Sequence, residues 1–171
     1  MKKMTKVLLF AIMSVLVLAL AACSDDSSKE KSSSDTKSES ADGQYPIEIK
    51  HAFGTTTIEK KPERVATIAW ANHDVALALG VVPVGFSAAN YGIKDIKTGI
   101  LPWTQEKLDE LDAKKPNVYQ DTDGLDYEAI ADSKPDVILA AYSGITEEEY
   151  NKLSEIAPVV AYKDQPWVTS W

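Results

Sequence analysis

The chain has 171 residues, a formal net charge of −8 and, among its 18 basic residues, a single arginine, Arg64. Nucleic-acid binding needs clustered Lys and Arg to neutralise phosphates, so this composition argues against a nucleic-acid partner. One cysteine, Cys23, excludes an intrachain disulfide and leaves stability to an ordinary apolar core.

Met1 to Lys6 is a basic leader carrying Lys2, Lys3 and Lys6, and Val7 to Leu20 is a predominantly apolar stretch of 14 residues. That length fits the hydrophobic region of a secretory signal and is too short to span a bilayer comfortably. Leu20-Ala21-Ala22-Cys23 then resembles the lipobox of bacterial lipoproteins. The resemblance implies a signal peptide over 1–22 and a Cys23 that is lipidated (a palmitate-bearing anchor), becoming the new N-terminus on the extracytoplasmic face of the cell membrane. Removing 1–22 leaves 149 residues and moves the formal charge to −11.

Ser24 to Asp42 contains eight serines and nine charged residues, leaving only Thr36 and Ala41. Such a segment cannot bury enough apolar area to offset the entropy of ordering, so 23–44 reads as a disordered tether. As a flexible coil its 19 residues reach about 24 Å. The folded part is expected over 45–171, which is long enough for one core.

Ile47, Ile49 and Phe53 before Gly54, followed by Thr55-Thr56-Thr57-Ile58, predict a short hairpin turning near Gly54. Beyond it one unit recurs: strand, loop, amphipathic helix, proline. Pro83, Pro116, Pro135 and Pro158 each precede a strand candidate, at 84–86, 117–119, 136–140 and 159–161. Proline cannot continue a helix and biases its predecessor to extended geometry. With Val65-Ala66-Thr67-Ile68-Ala69 this makes five strands. Helices are expected at 75–79, capped by Asn72 and closed by Gly80, and at 104–111. Two more are expected at 127–133, capped by Asp126 with Leu125 and Ile130 as a staple, and after Thr146, where Thr146-Glu147-Glu148-Glu149 has capping-box spacing. Continuous apolar strands alternating with helices predict an α/β fold, a mostly parallel sheet covered on both faces and preceded by the hairpin.

Right-handed crossovers place every strand-to-helix loop on one edge, where open α/β sheets bind ligands. The candidate ligand-binding residues on that edge are Trp70, Asn72, His73, Tyr91, Trp103, Thr122, Asp123, Tyr142 and Trp167. All four tryptophans of the chain, Trp171 included, fall in these loops. Aromatics with a polar handle suit a large, partly apolar ligand.

Catalytic chemistry is not legible. His73 and Asp74 are adjacent on a helix and expected to diverge, and His51 lies in the hairpin, expected to be remote from the edge. No His/Cys cluster has metal-ligand spacing, no glycine-rich phosphate loop follows the first strand, and Ala141-Tyr142-Ser143-Gly144 is not a hydrolase elbow. The three methionines fall within the signal, which removes a thioether ligand for haem. Asp121, Asp123 and Asp126 lack the spacing of a calcium loop. No catalytic residue, metal ligand or cofactor is therefore assigned.

From Tyr45 onward the chain resembles the substrate-binding lipoproteins of iron-siderophore ABC importers. The segments that carry the resemblance are His51-Ala52-Phe53-Gly54-Thr55-Thr56, Lys61-Pro62-Glu63-Arg64-Val65, the stretch from Ala76 to Gly85, Lys134-Pro135-Asp136-Val137-Ile138-Leu139 and Ile156-Ala157-Pro158-Val159-Val160. The resemblance implies a monomeric protein of two α/β lobes joined by a long helix, clasping a ferric siderophore that itself wraps the iron. It implies docking on an ABC permease through an acidic residue on each lobe, here Glu128. Proteins of that family are about twice as long, so this chain is expected to hold the N-terminal lobe and, alone, to bind weakly or not at all. Anionic catecholate chelates call for arginine clusters, whereas this edge offers only Lys94, Lys97 and Lys163, so a neutral or cationic hydroxamate complex is favoured. The competing readings are a haem- or cobalamin-binding lipoprotein of the same fold and, more remotely, a lipid-anchored enzyme.

Overall fold

The computed structural model describes residues 44–91, 97–114 and 116–169. The signal over 1–22, Cys23, the tether, Lys94 and Trp171 lie outside the described residues.

The hairpin forms as read: β1 (Ile47–His51) pairs antiparallel with β2 (Gly54–Ile58), from Ile47 opposite Ile58 to His51 opposite Gly54. Then follow β3 (Val65–Thr67), α1 (Asn72–Ala78), β4 (Gly85–Ser87), α2 (Pro102–Glu110), β5 (Asn117–Tyr119), α3 (Tyr127–Asp132), β6 (Val137–Ala140), α4 (Glu147–Ser154) and β7 (Val159–Ala161). The last five strands make one parallel sheet in the order β5-β4-β3-β6-β7. The α/β class and the parallel, helix-flanked sheet expected from the strand pattern are those observed.

Alternation along each strand divides the core. Ala66, Ile138, Ala140, Val159 and Ala161 meet Ile130 of α3 and Leu153 of α4 on one face. On the other, Val137, Leu139 and Val160 meet Ile47, Ile49 and Ile58 of the hairpin, while Phe86 meets Leu77 of α1 and Leu108 of α2. Helix starts follow the expected chemistry at two places. The Asp126 carboxylate accepts from Ala129 N–H at 3.0 Å, and Thr146 with Glu149 closes a reciprocal capping box. Helix α2 starts two residues early because Pro102 sits naturally in a first turn.

Two further differences from the sequence reading bear on the loop between the first strand of the sheet and its helix. The first strand of the sheet ends at Thr67, because Ala69 and Ala71 adopt left-handed φ values of 63° and 62°. Helix α1 begins at Asn72 itself, behind Ala71, so Asn72 is not its cap.

At the amino edge of the sheet one set of bonds ties several elements. Arg64 Nε and Nη2 donate to the Lys134 and Ser133 carbonyls at 2.7 and 2.5 Å, while the Asp136 carboxylate accepts from Glu63 N–H and Arg64 N–H at 2.8 and 3.0 Å. The Ser133 hydroxyl lies 2.8 Å from the buried Tyr119 hydroxyl and donates to Ile130 O. The Tyr119 ring rests on Gly85: a Cβ there would come within 2.1 Å of the phenol oxygen.

Candidate functional site

The strand order reverses between β3 and β6, and the crevice outside the carboxyl ends of such neighbours is where open α/β sheets take ligands. Asn72 bridges that crevice. Its amide nitrogen donates to Ile68 O at 2.7 Å and to Tyr142 O at 2.8 Å, and its amide oxygen accepts from Tyr142 N–H at 3.0 Å. The residue is 7% exposed and both its amide groups are engaged within the protein, so Asn72 chiefly positions the two loops.

Two aromatic pairs stand on the loops so joined. Trp70, after β3, meets Tyr91 edge to face with centroids 5.8 Å apart, and Tyr142, after β6, meets Trp167 likewise at 5.4 Å. Tyr91 is 76% exposed and Trp167 48%, and Tyr142 is also exposed. Trp167 N–H donates to Ser143 O at 3.0 Å, and its indole lies on Gly144, where a Cβ would come within 2.6 Å of Nε1. Thr169 completes this side, its hydroxyl donating to Ala141 O. Beside Tyr142 opens an apolar groove of about 450 Å³, lined by Val75 and Leu79 of α1, Leu139 of β6 and Thr169.

The other sequence candidates fall elsewhere. His73 is 3% exposed and stacks on Phe86 with centroids 4.6 Å apart, so it belongs to the core beneath α1 rather than to the surface offered to a ligand. Burial pushes its pKa down, and the neighbouring Asp74 partly opposes this. The expected divergence of His73 and Asp74 is also corrected. His73 Nε2 lies 3.4 Å from Asp74 Oδ1 because Thr104 of α2 draws both: its hydroxyl donates to Asp74 at 2.9 Å and lies 3.3 Å from His73 Nε2. Trp103 is tied to the same aspartate, donating from Nε1 to Oδ2 at 3.0 Å, and stands over α1 rather than in either aromatic pair. Thr122 and Asp123 are exposed after β5, and Asp123 helps line a polar groove of about 560 Å³ that reaches Thr146, Glu149 and Lys152 of α4. Glu128 is exposed on the first turn of α3. Lys97 and Lys163 are exposed as well.

His51 is not remote from the carboxyl edge. Ala52 N–H donates to Tyr162 O at 2.9 Å, which sets the hairpin turn beside the end of β7. There Phe53 contacts Tyr150 and Tyr162 at 5.1 and 5.3 Å, and His51 contacts Tyr150 at 5.1 Å. Burial lowers the His51 pKa, and its Nε2 lies 2.9 Å from the Thr56 hydroxyl.

One set of residues escaped the sequence reading as a unit. Ala69 N–H donates to the Ser87 Oγ at 2.7 Å, and Ser87 Oγ donates in turn to the Asp121 carboxylate, which joins the ends of β3, β4 and β5. Burial pushes the Asp121 pKa up to about 6; the Ser87 bond opposes this and the charge of Asp126 adds to it. No periodic signal links residues 34 apart in the chain. Among the described residues, no three His, Cys, Asp or Glu side chains group so as to hold a metal ion, and no helix is long and apolar enough to cross a membrane.

Comparison with known proteins agrees with this geometry. The chain is 34% identical to the probable siderophore-binding lipoprotein YfiY of Bacillus subtilis (strain 168), over 94% of this chain and 43% of that protein. It is 31% identical to the Fe(3+)-citrate-binding protein YfmC of the same organism, over 92% and 45%. It thus spans less than half the length of the curated relatives it matches. Among solved structures, PiaA of Streptococcus pneumoniae TIGR4 in complex with ferrichrome is similar with a TM-score of 0.69 and 66% identity, over 73% of this chain and 41% of that one. A second structure of PiaA, the iron uptake ABC transporter substrate-binding protein of the same organism, gives a TM-score of 0.65 at 62% identity, over 73% of this chain and 40% of that one. Residues 65–171, which carry the parallel sheet and both aromatic pairs, match the periplasmic binding protein family, and the chain belongs to it.

Proposed function

We propose that this chain forms the N-terminal lobe, 45–171, of a protein that captures a ferric siderophore outside the cytoplasm and delivers it to an ABC importer permease. The observation that carries the reading is the pair of edge-to-face aromatic contacts, Trp70 with Tyr91 and Tyr142 with Trp167, flanking the crevice at the strand-order reversal. Exposed indole and phenol faces in that position suit a bulky, partly apolar chelate. A hydroxamate complex is favoured over a catecholate, since Arg64, the chain's one arginine, is committed to the opposite edge. The likeness to PiaA, whose structure holds ferrichrome, a hydroxamate chelate, supports the same choice. The iron stays inside its chelator, so capture asks for no ligand from the protein.

The same reading extends to both ends of the transport step. Residues 1–22 act as the signal, lipid on Cys23 holds the protein at the membrane, and 24–44 lets the lobe, a monomer, reach the permease. Glu128, exposed on α3, is the acidic contact on this lobe. Replacement of Glu128 by Lys is expected to abolish import while leaving chelate binding intact. Cys23→Ala is expected to release the protein from the membrane.

Binding is tested by tryptophan quenching with ferrichrome and with a ferric catecholate, using Trp70→Phe and Trp167→Phe to separate true contact from light absorption by the iron complex. A single lobe covers one side of a ligand, so weak, saturable quenching by ferrichrome is expected, reduced in both variants. Preference for the catecholate would overturn the hydroxamate assignment. Quenching identical in all variants would overturn capture at this rim, and tight binding by the chain alone would overturn the one-sided site.

A further inference from the structure

Trp70 is held in an unusual way. The residues on either side, Ala69 and Ala71, are both non-glycine positions in the left-handed region, an unfavourable conformation that persists only where the surroundings enforce it. Two side chains do so. Asn72 grips Ile68 O and the Tyr142 peptide from one side. From the other, Ser87 Oγ accepts the Ala69 N–H and donates to Asp121. Asn72 and Ser87 are neutral groups suited to such work; Asp121 is not an obvious choice for it. Its second carboxylate oxygen, Oδ1, is buried without a hydrogen-bond partner, so ionising this side chain works against the fold.

The surroundings do not relieve that cost. Asp126 at the start of α3 repels the carboxylate, and Tyr119 of β5 is a phenol that burial keeps neutral; among the described residues none of the groups acting on Asp121 is a cation. What ionisation contributes is strength in one bond. A hydroxyl donating to a carboxylate makes a hydrogen bond roughly twice as strong as a neutral one, and it orients the Ser87 lone pair onto Ala69 N–H. On protonation the Ser87 hydroxyl faces a weaker acceptor, and the buried site must also accommodate a new O–H.

We propose that Asp121 is the positioning residue of the Trp70 loop: through the Ser87 hydroxyl and the Ala69 N–H it holds the indole against Tyr91, and it relaxes that hold when it takes up a proton. The placement of the indole follows from the bonds themselves. The consequence for a chelate, weaker capture in mildly acidic surroundings, rests additionally on the ligand-binding reading above.

The test needs no ligand. In the chain carrying Trp103→Phe, Trp167→Phe and Trp171→Phe, Trp70 is the only indole, and its emission and acrylamide quenching are followed from pH 8 down to 4.5. The expected result is a single transition centred near pH 6 towards a more exposed indole. Asp121→Asn, a neutral acceptor at every pH, is expected to remove the transition and to show the low-pH signal throughout. Ser87→Ala is expected to show the low-pH signal throughout. Burial lowers both histidines from their ordinary value, and a transition that survives in Asp121→Asn belongs to a group other than Asp121 and overturns the proposal. A Ser87→Ala protein with the parent's signal at pH 7.5, and with circular dichroism confirming the fold, also overturns it. If these outcomes hold while ferrichrome quenching shows no pH dependence, the positioning role stands and the capture reading is what fails.

Discussion

The two edges of the parallel sheet handle their polar groups differently. At the amino edge, Arg64, Ser133 and Asp136 satisfy carbonyls and N–H groups at the end of α3 and the entries of β3 and β6, and Tyr119 fills the space above Gly85. At the carboxyl edge a half-buried carboxylate has no cationic partner among the described residues and aromatic rings stand in solvent, while left-handed residues occur at both edges, at Ala69, Ala71 and Trp167 here and at Asp112 and Lys134 on the amino side. One edge contributes to stability and the other draws on it. The segments 61–65 and 134–139, which carry much of the family likeness, meet each other at the amino edge. They therefore report the fold, whereas the proposed ligand-binding surface lies in the loops at the far end of the same strands.

Substitutions of comparable size at the two edges should separate these roles. Gly85→Ala forces a methyl into the Tyr119 ring and is expected to cost about 3 kcal/mol, read as a lower urea midpoint at unchanged slope. A loss under about 1 kcal/mol would mean that the ring moves freely and the amino edge is softer than its bonds suggest. Asn72→Ala leaves buried peptide groups of both crevice loops unpaired, and about 2 kcal/mol is expected, together with a shifted Tyr142–Trp167 signal in near-ultraviolet circular dichroism.

Asp121→Asn sharpens the comparison through pH. The native carboxyl titrates near 6, against an ordinary value of 3.8. The folded protein therefore binds the proton more tightly than the unfolded chain, and Asp121 makes stability fall as pH rises from about 4 to about 6. The asparagine variant lacks that decline, so its stability relative to the parent should improve from pH 4 to pH 7. At about 1.4 kcal/mol per pKa unit the ceiling is near 3 kcal/mol, and partial solvent screening brings the expectation to roughly 1 kcal/mol. A difference that stays constant across that range would place the carboxylate in water. Gly144→Ala should be the mildest: the added methyl displaces the half-exposed Trp167 indole rather than a core ring, at under about 0.5 kcal/mol. Its effect should appear in Trp167 emission and in ferrichrome quenching, not in the urea midpoint.

Much of the architecture was legible because its signals are local. Each proline before a strand, the Asp126 cap and the Thr146–Glu149 box act within a few residues and read the same in any context. The aromatic rim was legible as a set of loops, since right-handed crossovers leave those loops on one edge. What escaped was which loop residues face outwards. Asn72 looks like a helix cap in sequence, but its neighbour Ala71 takes that place and its own amide joins a peptide 70 residues away. His73 shares a loop with Trp70 yet turns inwards onto Phe86, because a helix start directs successive side chains around its axis. The hairpin turn came to lie by β7 through long-range hydrogen bonds, Ala52 N–H to Tyr162 O and the Thr56 hydroxyl to Val159 O, which no spacing announces.

The amino-acid order by itself determined the alternation of strands and helices, hence a parallel sheet and the edge on which its strand-to-helix loops gather. These follow from short-range sterics, periodicity and composition. Tertiary structure alone decided the pairing of Trp70 with Tyr91 and of Tyr142 with Trp167, the coupling of Asp121 to Ser87 and Ala69, and the burial of His73. Those depend on where strands remote in sequence end in space, and the energy of a buried carboxylate or an exposed ring is set by the neighbours it meets there.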